Sequence, residues 1–168
     1  MAKYAPHLFA LTTLFLCGNA GFAMDEENVP LDKLPAAIKA AVKARFPDAE
    51  LVSASKEAVE GKTVFEVSIK NKGQKGDVTF TSDGAITEIE LTIERKDVPK
   101  PVVATLDAKY PKATLAILEQ VFKVKDGKEN LEYYEFLLTT ADKKKLEVCI
   151  APDGKFVKEE DKSKDKDP

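Results

Sequence analysis

The chain has no tryptophan, a single histidine, two cysteines and one long apolar run among its 168 residues. Each shortage removes a class of chemistry. The histidine is His7 and one cysteine is Cys17, and both fall within "HLFALTTLFLCGNAGFA", an apolar run from Leu8 to Cys17 closed by small residues. That is the pattern of a secretory signal peptide. Lys3 gives it a positive start, the run is too short to span a bilayer, and Gly21 with Ala23 forms a cleavage site, so processing is expected after Ala23. Acylation at Cys17 is not expected, because Leu16 stands where bacterial lipoprotein signals carry a small residue. Cutting 23 residues from 168 leaves 145, with no histidine and with Cys149 as the one thiol. A chain without histidine cannot build a His-based triad, a Cys–His pair or a histidine metal site. A single exported thiol cannot close an internal disulfide, so stability must come from a packed core.

Charge of one sign is also lacking. Loss of Lys3 takes the 26 basic side chains to 25 against 29 acidic ones, a formal balance of −4 with both signs mixed throughout. Nothing in that balance recruits nucleic acid. No later apolar run is long enough for a membrane span.

What the chain does have is a phrase written twice. "KARFPDAEL" at Lys43 to Leu51 returns as "DAKYPKATL" at Asp107 to Leu115. Aligning Phe46-Pro47 with Tyr110-Pro111 pairs Leu34–Leu51 with Val98–Leu115 and makes six of those eighteen positions identical: Pro35/Pro99, Ala40/Ala104, Ala44/Ala108, Pro47/Pro111, Ala49/Ala113 and Leu51/Leu115. "VFEVSI" at Val64 then answers "YYEFLL" at Tyr133, and "VTFTSDGAI" at Val78 answers "VCIAPDGKF" at Val148. The order is kept throughout, which predicts a tandem duplication: residues 24–97 as the first repeat, 98–160 as the second and 161–168 as a charged, disordered tail.

Each repeat is expected to open with a helix. Leu34, Ile38, Ala41 and Val42 recur at helical spacing, with Asp32 or Asn28 as the cap. Pro35 is tolerated in a first turn, and Phe46 ends the helix because a residue before proline is pushed out of the helical region. In the second repeat Pro99 and Pro101 open a helix carrying Val102, Leu106 and Tyr110, and Pro111 closes it. The period then switches to 2, as Phe65, Val67 and Ile69 alternate with Glu66, Ser68 and Lys70, and Val78 and Phe80 with Asp77, Thr79 and Thr81. Ile89, Leu91 and Ile93 continue the apolar side, "NKGQKG" and "SDG" supply turns, and "ELVSASKE" and "LAILEQVFKV" supply the first strand of each sheet. The expected fold is α+β: two tandem repeats, each a helix on a roughly four-stranded antiparallel sheet. Units so small bury marginal cores alone, so the two should pack together.

The order of these motifs resembles the PepSY and PepSY-like domains of exported bacterial proteins. The residues that carry the match are Phe46-Pro47, Gly61 with Val64-Phe65-Glu66-Val67 and Asp83-Gly84, then Tyr110-Pro111, Tyr133-Tyr134-Glu135-Phe136 and Asp153-Gly154. The resemblance implies a fold similar to the β-lactamase inhibitor proteins, in which tandem units set a helix against an antiparallel sheet and present the other sheet face. It also implies a role beside peptidases, which PepSY domains of propeptides are thought to hold in check, and it brings no catalytic residues. Inhibitor proteins of that fold are stapled by disulfides, which a lone Cys149 cannot supply.

The chemical motifs are few. "SASK" at Ser53 to Lys56 matches the serine–lysine pattern of penicillin-interacting enzymes, but that nucleophile sits at a helix start in a large domain, whereas Ser53 falls in an expected strand. The turns at Asp83 and Asp153 lack the further acids of a calcium loop. Glu26-Glu27 and Glu159-Glu160 read as solvated charge near the chain ends. No enzyme, no cofactor and no metal site is therefore expected. Parity separates the outer sheet faces. In the first repeat Glu66, Ser68, Lys70, Asp77, Thr79 and Thr81 make a face content with water. In the second, Tyr133, Glu135, Leu137, Glu147, Cys149 and Ala151 place aromatic, aliphatic and thiol groups on one exposed face. Such a surface either meets a partner or covers the other repeat. The expected site for a protein partner is thus Tyr133, Glu135, Leu137, Glu147 and Cys149. The function read from this is a non-catalytic binding module, periplasmic or secreted, that restrains a protein of the cell envelope. The alternative is a small-molecule or cation sensor with a cleft between the repeats.

Overall fold

The computed structural model describes residues 26–163. The expected signal peptide, its cleavage point and Cys17 lie outside those residues. Helix α1 spans Ala36–Arg45 and α2 spans Lys100–Lys109. One stripe of each is buried, through Ile38 and Val42 in α1 and Val102 and Leu106 in α2. Neither Asp32 nor Asn28 caps α1: Pro35 occupies the cap position, Pro99 does the same for α2, and neither helix has a side-chain cap. With proline at the cap no side chain accepts the first-turn N–H groups, and the ring's fixed φ sets the entry of the chain instead. Phe46 and Tyr110 end the helices with backbone N–H groups donated to Val42 and Leu106.

The strands are β1 (Glu27–Asn28), β2 (Ala49–Val59), β3 (Lys62–Asn71), β4 (Gln74–Thr81), β5 (Ile86–Thr92), β6 (Thr114–Lys125), β7 (Lys128–Thr139), β8 (Lys145–Ile150) and β9 (Phe156–Asp161). They form one nine-stranded antiparallel sheet whose spatial order is the order of the chain. This overturns the expected pair of helix-on-sheet repeats. Strands β5 and β6 are hydrogen-bonded neighbours from Glu88↔Lys123 to Thr92↔Glu119, and the Ile93 N–H extends the ladder to Leu118 O at 2.9 Å. The physical reason is edge pairing. A ten-residue helix is only about 15 Å long, so α2 returns the chain beside β5, and an unpaired strand edge is satisfied best by the next strand available. Alternation in the sequence specifies faces and leaves open which edges join.

Both helices lie on the same face. Helix α1 packs with Phe46 on Val67, Ile69, Val78, Phe80 and Ile89, and α2 packs on Leu118, Tyr134, Phe136, Leu138, Val148 and Ile150. Each large side chain withdrawn there contributes roughly 1.5–3 kcal/mol. The hairpin tips are pinned to the helix starts: a Cβ on Gly84 would lie 2.9 Å from Ala37 Cβ, and one on Gly154 would lie 2.8 Å from the Pro101 carbonyl oxygen. Between β6 and β7, Asp126 and Gly127 both have positive φ, at 52° and 70°, as a two-residue hairpin turn of matching twist requires. Register slips skip Val52 in β2, Ala116 in β6, Thr87 in β5 and Val157 in β9, and such bulges increase twist and bend. Strand β9 continues through Asp161, and the Lys162 N–H donates to Lys145 O at 2.9 Å, so order reaches into the segment expected to be tail. Residues 164–168 lie outside the described range.

Candidate functional site

The sheet face opposite the helices is where sequence and structure differ most usefully. Six consecutive strands place carboxyl side chains on it: Glu66 from β3, Asp77 from β4, Glu88 and Glu90 from β5, Glu119 from β6, Glu135 from β7 and Glu147 from β8. Registers fix the arrangement. Asp77 lies directly opposite Glu90 and Glu119 directly opposite Glu135. Glu90 faces Val121, two residues from Glu119, so the two acid pairs meet along a diagonal. With strands about 4.8 Å apart, the carboxyl groups form a ladder about 24 Å long across the sheet.

This face is curled inward. Ser68, Thr79, Glu88, Glu90, Glu119, Glu135, Glu147 and Cys149 are all buried, although neither helix packs on that side. Glu66 stands three strands from Glu119, about 14 Å on a flat sheet, yet the charge of Glu119 still raises its pKa. A strongly twisted, bulged sheet brings its concave side chains together and occludes them with one another. Hence the face of β3 and β4 expected to be content with water is largely withdrawn from it. Of the five expected contact residues, Tyr133 and Leu137 are half-buried while Glu135, Glu147 and Cys149 are buried. Parity placed all five on one face, where Glu135 is opposite Cys149 and Leu137 opposite Glu147. Parity carries no information on curvature.

The Glu147 end of the ladder is neutralised and the rest is not. Glu147 accepts from Lys158 Nζ at 2.9 Å and faces Lys162 Nζ at 3.2 Å. Lys162 also reaches Glu160 at 3.1 Å. Beside the ladder, Lys123 pairs with Glu88. Asp77 accepts from Ser68 Oγ at 2.6 Å, Glu119 from Thr92 Oγ1 at 3.1 Å and Glu135 from Cys149 Sγ at 3.5 Å. Glu66 and Glu90 have no hydrogen-bond or ion-pair partner among the described residues. Burial, reinforced by the neighbouring acids, raises the carboxyl pKa values. Glu66 is pushed up to about 9, with Asp77 the strongest of its acidic neighbours. Glu119 rises to about 7 through burial and then Asp77 and Glu135. Glu135 rises to about 7 through burial and then Glu147, against the pull of Lys158. Glu90 is raised by burial and by Glu135, Glu119, Glu66 and Asp77.

Glu135, Glu147 and Cys149 bring three potential metal-ligand atoms within 4.8 Å of one another. The residues could hold a cation only by displacing the two lysine ammonium groups already on Glu147, and burial raises the Cys149 thiol pKa, opposing the thiolate a metal would need. Ser53 and Lys56 make no catalytic pair. Three residues apart on an unbulged stretch of β2, they leave opposite faces, and Lys56 binds Glu27 at 3.0 Å. Sequence alternation found Glu66, Asp77, Glu135 and Glu147. It did not single out Glu90 and Glu119, because "EIELTIE" and "LAILEQVF" were read for their apolar residues.

Among the described residues no helix is long and apolar enough to cross a membrane. No curated protein matches the chain. Solved structures share its fold at low identity. A DUF2874 family protein from Bacteroides uniformis is 16% identical with a TM-score of 0.63, covering 79% of this chain and 92% of its own. One of the "putative periplasmic proteins" of Bacteroides eggerthii is 14% identical with a TM-score of 0.62, over 77% and 89%. A BLIP-like protein from Bacteroides fragilis is 15% identical with a TM-score of 0.58, over 80% and 90%. The family model described as "Putative beta-lactamase-inhibitor-like, PepSY-like" matches residues 22–87 and 65–158, and the chain therefore belongs to the PepSY-like family.

Proposed function

We propose that the protein is a non-catalytic, exported binding module that takes a protein partner on the sheet face opposite its helices and so restrains that partner, a secreted or envelope peptidase being the class the family suggests. One observation carries the reading: six strands in succession present carboxyl groups on a face that neither helix covers. Families named for inhibitors work by display of surface, and a half-buried Tyr133 and Leu137 beside the ladder offer the apolar contact that anchors a polar interface. The N-terminal pattern from Leu8 to Ala23 supports export with processing after Ala23, to the periplasm or beyond.

The test is the paired substitution Tyr133→Asp and Leu137→Asp. The wild-type protein retains a defined partner from the cell envelope, and the variant loses it while keeping the wild-type circular dichroism and melting midpoint. A variant that unfolds, or that still retains the partner, rejects the face as the contact surface. A second reading, a small-molecule or cation sensor, would place a cation at Glu135, Glu147 and Cys149, where it would have to displace Lys158 and Lys162. A midpoint raised by calcium or zinc alone would select it, since a ligand of the native state must stabilise that state.

A further inference from the structure

We infer that the unfilled middle of the carboxyl ladder is a seat for alkylammonium groups, delivered by lysine side chains of a basic segment of the partner. The inference rests on the proposed use of this face and names the chemistry that would occupy it.

The chain itself displays the mode of filling. Lys158 and Lys162 bring ammonium groups to Glu147 at one end of the ladder, and Lys123 brings one to Glu88 beside it. Between them stands Glu90, only 8% exposed, with no donor or cation as partner among the described residues. Its carboxyl group is surrounded by those of Glu66, Asp77, Glu119 and Glu135. Like charges set directly opposite across strands repel, and the sheet contains two such pairs in diagonal contact, Asp77 with Glu90 and Glu119 with Glu135. A buried carboxyl without a counter-group costs stability unless it stays protonated, and the raised pKa values of Glu66, Glu119 and Glu135 show that pressure.

Geometry selects the cation. A metal ion needs several ligand atoms converging on one point, and among the described residues the three atoms that do so belong to Glu135, Glu147 and Cys149, at the end already holding two lysines. In the middle the acids are spread over successive strands about 4.8 Å apart, which suits several separate charges on slender stems. Lysine carries a compact charge on a four-carbon stem, whereas arginine brings a broad planar fork. An extended segment with lysines at alternate positions places their stems on one side about 6.6–6.8 Å apart, close to the diagonal spacing of about 7–8 Å between cross-strand neighbours. Seating ammonium groups there displaces protons from the carboxyls, so binding releases protons.

Calorimetric titration of the purified protein tests this, using a synthetic peptide with lysine at alternate positions, at pH 7 in two buffers of different ionisation enthalpy. The expected result is saturable binding with proton release, roughly tenfold or more weaker for Glu90→Gln, which takes one charge from the seat. The same variant is expected to melt at or above the wild-type midpoint at pH 8, which separates a lost seat from a lost fold. Three outcomes overturn the inference: no binding of the peptide, equal binding when its lysines are acetylated, or affinity unchanged by Glu90→Gln. Spermidine binding more tightly than the peptide would overturn the protein source, and calcium binding that excludes the peptide would overturn the ammonium chemistry. A failed peptide alongside partner loss in the Tyr133→Asp and Leu137→Asp variant would leave the contact face standing and remove only its proposed ligand.

Discussion

Glu90 and Glu147 sit on the same sheet face and are almost equally buried, at 8% and 3% exposed, yet their surroundings are opposites. Two lysine ammonium groups bind Glu147, while four other carboxyl groups crowd Glu90. The contrast teaches that burial alone does not decide what a buried acid does to a protein. A paired carboxylate recovers much of its desolvation cost through its counter-ions, and removal of one partner exposes that cost in full. An unpaired one escapes by taking up a proton. The first arrangement closes a site, and the second leaves one open.

The strongest way to break the comparison is to make Glu147 resemble Glu90. Lys158→Met together with Lys162→Met removes both counter-ions from a carboxylate with little access to water. The expected loss is about 3–5 kcal/mol in urea denaturation near neutral pH. Adding Glu147→Gln should recover part of it, because the penalty belongs to the stranded charge, and a double-mutant cycle measures that coupling. A loss below about 1 kcal/mol would show that the lysines decorate the ladder without holding it.

Titration sharpens the same contrast. Glu119 and Glu135 rise to about 7 and Glu66 to about 9, all above the unfolded value of about 4.3. In the window between those values the folded chain holds more protons than the unfolded chain. The stabilising contribution is therefore complete below about pH 4 and is lost as pH rises through 7 and then 9. Surface acids with lowered pKa values, such as Glu129 beside Arg45, act in the opposite sense, but they are solvent-screened and weak. The expected net effect is a stability lower at pH 9 than at pH 5 by at least about 3 kcal/mol, the share of one carboxyl raised to about 7, read from melting midpoints across that range. Glu90→Gln should be neutral at pH 5 and stabilising at pH 8, where the raised carboxyl of the native state costs stability. A variant that destabilises equally at both values would mean that Glu90 has a structural partner.

Much of this was legible in the sequence, and the limits have physical causes. The helices announced themselves through Ile38, Val42, Val102 and Leu106 at helical spacing and through Phe46-Pro47 and Tyr110-Pro111 at their ends. Alternation sorted the faces of β3, β7 and β8 correctly. Two features escaped. The union of β5 with β6 into one sheet depends on which edges meet in space, and alternation is blind to edges. The burial of Glu135, Glu147 and Cys149 depends on curvature, and bulges such as those at Val52 and Ala116 leave no composition signal. The acidic ladder followed from both failures, since Glu90 and Glu119 join it only when β5 and β6 lie side by side.

Cys149 supplies the most delicate probe of the comparison because it stands opposite Glu135 and two residues along the strand from Glu147. Burial first, and then the charge of Glu135, raises its thiol pKa, and the thiol form is a poor nucleophile. In the native protein it should resist alkylation by iodoacetamide for hours at pH 8, and in urea it should react within minutes. Chemical crosslinking through this thiol would accordingly fail in the folded state. Slow labelling of a buried thiol reports the opening of its surroundings, so its rate tells which part of the ladder gives way. Lys158→Met with Lys162→Met should accelerate labelling, because the closed end is then strained by an unpaired charge. Glu90→Gln should leave the rate unchanged or slow it, because relief of repulsion in the open middle gives the sheet no reason to part. Equal acceleration by both changes would mean that the closed end and the open middle of the ladder open as one unit, and the distinction between a filled and an unfilled region would lose its mechanical meaning.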